Sequence, residues 1–102
     1  MEMVLAGRFI TAKEALQAGL VNRIAPVELF LDEALNLAST VASMPPIAVE
    51  MAKESVLKAF DTSLDEGLLF ERKNFYLLFS TEDQKEGMAA FSEKRPPEWK
   101  GR

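Results

Sequence analysis

Apolar residues recur along this chain at intervals of three and four rather than two, the spacing that gathers them on one face of an α-helix. From about Val27 to Ser43 they fall at Leu31, Ala34, Leu35, Ala38, Val41 and Ala42, which predicts a helix with a single buried stripe. Met44-Pro45-Pro46 ends it, because proline disfavours the α conformation in the residue before it and has no N–H to donate. Pro46 can open the next helix from its first position. That helix carries Ala48, Met51, Ala52, Ser55, Val56 and Ala59 on one face and Glu50, Lys53, Glu54 and Lys58 on the other. Leu64, Leu68, Phe75, Leu78 and Phe79 then keep broadly to one side of a longer helix, with Glu71, Arg72 and Lys73 turned to water.

The boundaries are written in caps and stops. Thr11-Ala12-Lys13-Glu14, Ser63-Leu64-Asp65-Glu66 and Thr81-Glu82-Asp83-Gln84 each have the form of a capping box, in which a hydroxyl accepts the N3 amide and the N3 side chain reaches back. The first box predicts a short helix to Ala18, stopped by Gly19; the last predicts one ending near Phe91. Leu20 to Ile24 should be extended, with an exit fixed by Pro26. Met1 to Leu5 with Gly7 reads equally as the last turns of a helix that begins upstream or as a short independent one. The tail from Glu93 to Arg102, basic and containing Pro96 and Pro97, is expected to be non-helical. No repeat or linker divides the chain. The fold class is therefore all-α, with about five helices in one region spanning residues 1–102.

Composition narrows the chemistry. At 102 residues the chain is one domain at most, with 48% hydrophobic and 27% charged residues, within the globular range. A net charge of −4 and the lack of a concentrated basic face argue against nucleic acid as a partner. Absent cysteine excludes a disulfide framework, a thiolate nucleophile and Cys-based zinc sites; absent histidine removes the commonest general base and metal ligand. No metal site is expected. No apolar run approaches about 18 residues, so no membrane span is expected.

Two clusters remain as candidates. Glu82, Asp83 and Glu86 crowd the start of the last helix, where acids ordinarily serve as cap and dipole partners rather than as a catalytic pair. Phe70, Phe75, Tyr76, Phe79 and Phe91 lie near Lys85, Lys94 and Arg95, a mixture of flat apolar surface and cations that would suit an adenine ring with phosphates. Core packing and a solvated tail explain the same residues more simply. The five glycines are isolated and make no phosphate loop.

Four stretches, in order, carry a resemblance: Met1-Glu2-Met3-Val4-Leu5 with Gly7; Ala15 to Asn22 (ALQAGLVN); Met51 to Val56; and the run from Phe79 to Phe91 followed by Glu93-Lys94-Arg95-Pro96-Pro97. With these the chain resembles enoyl-CoA hydratases of the crotonase family along its whole length. The resemblance implies the C-terminal helical region of a crotonase-type subunit, without the ββα spiral core that carries catalysis. It further implies contact with acyl-CoA and assembly into a homo-oligomer, a trimer or hexamer in the parent enzyme. The reaction implied is syn addition of water to a trans-2-enoyl-CoA, giving a 3-hydroxyacyl-CoA in fatty-acid β-oxidation. Coenzyme A would enter as part of the substrate, with no separate cofactor.

In the family two glutamates handle the water and two backbone amides hold the enolate oxygen. No glutamate here sits in the matching motif, so no catalytic residue is assigned and this chain alone is expected to bind and assemble rather than catalyse. Family positions that touch coenzyme A fall on Phe75, Phe91 and Lys94. The expected compartment is intracellular, the cytoplasm of a bacterium or the mitochondrial matrix of a eukaryote. The alternatives are the tail of a crotonase-family isomerase or acyl-CoA hydrolase, or a non-enzymatic helical module that only self-associates.

Overall fold

A computed structural model describes all residues from Met1 to Arg102. It contains six α-helices and no strand: α1 (Glu2–Leu5), α2 (Ala12–Gln17), α3 (Phe30–Ala42), α4 (Pro46–Lys58), α5 (Leu64–Leu78) and α6 (Glu82–Glu93). The all-α expectation holds. The six are the five helices read from periodicity and capping signals plus the N-terminal turn read from Gly7, which takes φ 62 as a helix-ending glycine should. The chain divides into two compact units, Met1–Ala38 and Ser39–Arg102, with the boundary inside α3.

In the first unit, Thr11 forms the complete box. Its Oγ1 accepts from the Glu14 N–H at 3.2 Å, and a Glu14 carboxylate oxygen accepts from the Thr11 N–H at 2.8 Å. Arg8 donates to the other Glu14 oxygen at 2.7 Å. The Thr11 amide first, then the Thr11 hydroxyl and Arg8, hold the Glu14 carboxyl below its ordinary range. Gly19 at φ 71 turns the chain after α2. Leu20 to Ile24 runs as irregular chain rather than a strand. The next helix begins three residues later than the periodicity predicts: Val27–Leu29 form a turn closed by the Leu29 N–H on the Pro26 carbonyl at 2.9 Å. All six residues of the predicted stripe, Leu31 to Ala42, nevertheless lie within the helix.

In the second unit, Pro46 is the first residue of α4, and α4 packs against α5. Met51 and Ser55, both half-buried, meet half-buried Asn74 there. The Asn74 amide donates to the Ser55 hydroxyl at 3.1 Å and to the Met51 carbonyl at 3.4 Å, and Ser55 donates to that carbonyl at 2.9 Å. A polar bridge thus sits within a mainly apolar seam. Ser63 and Thr81 cap α5 and α6 by accepting from the Glu66 and Gln84 amides at 3.4 and 3.1 Å. Neither cap is reciprocated by its N3 side chain as Thr11's is, so these two are single caps rather than full boxes.

Beyond α6 the tail is non-helical, as expected, yet it is held. It turns at Lys94 and runs back along α6. The Glu98 N–H donates to Glu86 at 2.9 Å, the Lys100 and Gly101 N–H groups donate to Asp83 at 2.7 and 2.9 Å, and the Glu82 N–H donates to the Arg102 carbonyl at 2.7 Å. Trp99 lies against Gly87, where a Cβ would sit 3.3 Å from the indole ring, and its Nε1 donates to the Ser43 carbonyl at 2.8 Å. Gly87 is the opening that lets this indole reach the helix.

Candidate functional site

The three residues that the resemblance assigned to coenzyme A occupy two places in the second unit. Phe75 sits in the third turn of α5, where its ring makes an edge contact with Phe79 at 5.2 Å between centroids and a tilted one with Tyr76 at 6.2 Å. Such pairs hold rings in fixed orientation. Phe75 borders two hollows, a groove of about 410 Å³ along the α4–α5 seam and an apolar cavity of about 340 Å³ reaching Gly87 and Trp99. Both volumes fall in the range of small-molecule sites.

Phe91 and Lys94 stand together at the other end of α6. Phe91 is 85% exposed, unusually open for a phenylalanine. Lys94 caps the helix in the left-handed conformation, φ 55 and ψ 37, and its N–H donates to the Phe91 carbonyl at 3.4 Å. The Arg95 N–H reaches the Ala90 carbonyl at 3.1 Å, closing the turn.

Charge around this turn is distributed unevenly. The tail holds four cations, and three are paired: Arg95 with Glu86 and Glu93, and Lys100 and Arg102 with Glu82. The Lys94 ammonium has no carboxylate within 4.0 Å among the chain's ion pairs. Arg95 grips Glu86 with two parallel bonds of 2.6 and 3.0 Å and reaches Glu93 through Nε at 2.6 Å. That guanidinium, followed by the Glu98 amide, pushes the Glu86 carboxyl down to about 2, and the two glutamates raise the Arg95 guanidinium in turn. Glu82 is also lowered, first by Arg102 and then by Lys100.

The acids Glu82, Asp83 and Glu86 thus have structural work, as their position in the first turns suggested, but mainly on the tail rather than on their own helix. Asp83 is the sharpest case: it is only 4% exposed and both its oxygens accept tail amides. Sequence spacing gave no sign of this, because the partners lie 17 and 18 residues away.

The enoyl-CoA hydratase/isomerase family model matches residues 1–102. The chain is 52% identical over 100 residues to the mitochondrial enoyl-CoA hydratase of Pongo abelii, covering 98% of this chain and 34% of that protein. It is 50% identical over 99 residues to a probable enoyl-CoA hydratase of Mycobacterium tuberculosis, covering 97% of this chain and 38% of the other. The crystal structure of enoyl-CoA hydratase from Bacillus anthracis superposes with a TM-score of 0.92 at 40% identity, over 99% of this chain and 39% of that one. The chain therefore spans between a third and two-fifths of the length of these relatives. On sequence and fold together, the chain belongs to the enoyl-CoA hydratase/isomerase family, the crotonase family.

Proposed function

We propose that this chain is the C-terminal helical region of an enoyl-CoA hydratase and supplies Phe75, Phe91 and Lys94 to bound acyl-CoA. The whole protein hydrates a trans-2-enoyl-CoA to a 3-hydroxyacyl-CoA in fatty-acid β-oxidation. The carboxylates of that reaction lie outside this chain, which binds and assembles without catalysing. Coenzyme A arrives as part of the substrate, and the parent enzyme is a trimer or hexamer. Its compartment is the bacterial cytoplasm or the mitochondrial matrix, in keeping with bacterial and mitochondrial relatives. No helix of the chain is long and apolar enough to cross a membrane.

One observation carries this reading: an 85% exposed phenylalanine stands three residues from the one tail cation that has no carboxylate partner. An open aromatic face takes a flat apolar group, and a free ammonium takes a phosphate as a point charge. Phe75 adds a second aromatic surface beside the hollows that could take the pantetheine or acyl portion. The test is calorimetric titration of the purified protein with coenzyme A. Lys94→Ala should weaken binding by about tenfold or more, the scale of a lost charge-assisted hydrogen bond. Phe91→Ala should weaken it by about fivefold. Variants that bind as the parent does, or a parent that takes up no coenzyme A at millimolar ligand, would sink the reading.

A further inference from the structure

Lys94 is the only residue other than glycine with positive φ, and the residues on either side of it are tied together across it. Arg95 Nε bonds Glu93 at 2.6 Å, and the same guanidinium holds Glu86, two turns earlier on α6, through its two terminal nitrogens at 2.6 and 3.0 Å. The left-handed turn is thereby anchored to the helix from both flanks. Glu86 also accepts the Glu98 N–H, so the chain leaving the turn is fixed to the same carboxylate. The Glu86 side chain is only 22% exposed, and a bidentate pair within a network is the kind of surface ion pair with measurable worth.

Two consequences follow for Lys94. The αL turn, which costs a non-glycine residue about 1 kcal/mol or more, is braced by side-chain contacts of its neighbours in addition to the Lys94 N–H on the Phe91 carbonyl. Glu93, the adjoining carboxylate, and Glu86 are both occupied by Arg95, and none of the chain's ion pairs involves Lys94, so its ammonium is not neutralised by either.

We propose that Glu86 and Arg95 are positioning residues for the coenzyme A phosphates: their pairing fixes the Lys94 turn and keeps its ammonium free for the ligand. This rests on the assignment of Lys94 to coenzyme A. Neither residue touches the ligand. Each acts through Lys94, and Glu93 completes the bracket.

The experiment compares coenzyme A with pantetheine, which lacks the phosphates together with the adenosine they join, by calorimetry on the purified protein and its Glu86→Gln and Arg95→Lys variants. Glu86→Gln removes the charge while keeping an acceptor for the Glu98 amide; Arg95→Lys keeps the charge and loses the fork. Each should weaken coenzyme A binding by about fivefold to tenfold and leave pantetheine within twofold. The double variant should be little worse than either single one, as expected of residues acting as a unit. Equal losses for both ligands would make the pair a general structural brace and overturn the proposal. So would coenzyme A binding that depends on Lys94 but is unchanged in Glu86→Gln, an outcome that leaves the Lys94 assignment standing. Coenzyme A binding indifferent to Lys94→Ala would overturn both.

Discussion

A side chain in the left-handed helical region brings its Cβ too near the following carbonyl, and only glycine escapes the penalty. Lys94 sits there at φ 55, whereas the other positive-φ residues are Gly7, Gly19 and Gly101. Retaining lysine where the backbone favours glycine is consistent with a side chain that serves something other than the turn. Backbone and side chain can be separated by substitution. Lys94→Gly should be more stable than Lys94→Ala by about 1 kcal/mol, because both lose the ammonium and only alanine keeps the strain. Both should lose coenzyme A affinity to the same extent. Urea denaturation midpoints and titration calorimetry on the two variants check this; equal midpoints would mean that the turn carries no strain.

Between elements, the tail and α6 are joined by carboxylates, which makes the junction sensitive to acid. Glu86 is pushed down to about 2 by Arg95, from a value of 4.5 when free, and Glu82 is lowered too. A carboxyl whose value is depressed by folding stabilises the folded state fully above the free value. It loses that contribution as pH falls from about 4.5 towards 2. The chain's single tryptophan lies on the tail and reports its attachment. Trp99 emission should stay constant from pH 8 to 5 and shift to the red only below about 4.5, and Glu86→Gln should reduce the amplitude of that change. A shift centred near neutral pH would contradict the assignment.

The same junction marks the limit of what was legible in the sequence. Helices α3 to α5 followed from apolar spacing and α2 and α6 from their capping signals, with ends marked by Thr11, Gly19, Pro46, Ser63 and Thr81, because those signals act within a few residues. The reciprocal halves of the Ser63 and Thr81 boxes did not form, since a box motif permits the second bond without requiring it. The start of α3 was placed three residues early because the apolar Val27 and Leu29 after Pro26 form a turn rather than the first helical turn. Phe75, Phe91 and Lys94 came from family resemblance; spacing alone allowed core packing and a solvated tail for the same residues. That Lys94 is the unpaired cation of the tail depends on how Arg95, Lys100 and Arg102 meet α6 after the tail folds back, a tertiary outcome with no local signature.

At the scale of the whole chain, the apolar stripes that define the helices are largely uncovered. Only Ala15 and Ala90 are buried among the apolar residues, and a methyl group contributes less than about 1 kcal/mol when removed from water. Phe9, Phe60, Leu64 and Tyr76 are all exposed, together with Leu31 and Leu35 of the α3 stripe. Single exposed apolar residues are ordinary, but rows of them along amphipathic helices are the mark of a surface that packs against protein. Residues 1–102 expressed alone should therefore bind a hydrophobic dye strongly and elute as a self-associated species, with a mass by light scattering of two or more chains. Charge does little to prevent this, since a net −4 spread over the chain repels weakly at physiological salt. Discrete trimers would indicate that these helices carry an assembly surface of their own. Heterogeneous association would indicate that the exposed stripes are completed by protein outside this chain. A clean monomer with low dye binding would overturn the prediction and require the helices to bury their stripes against one another in solution.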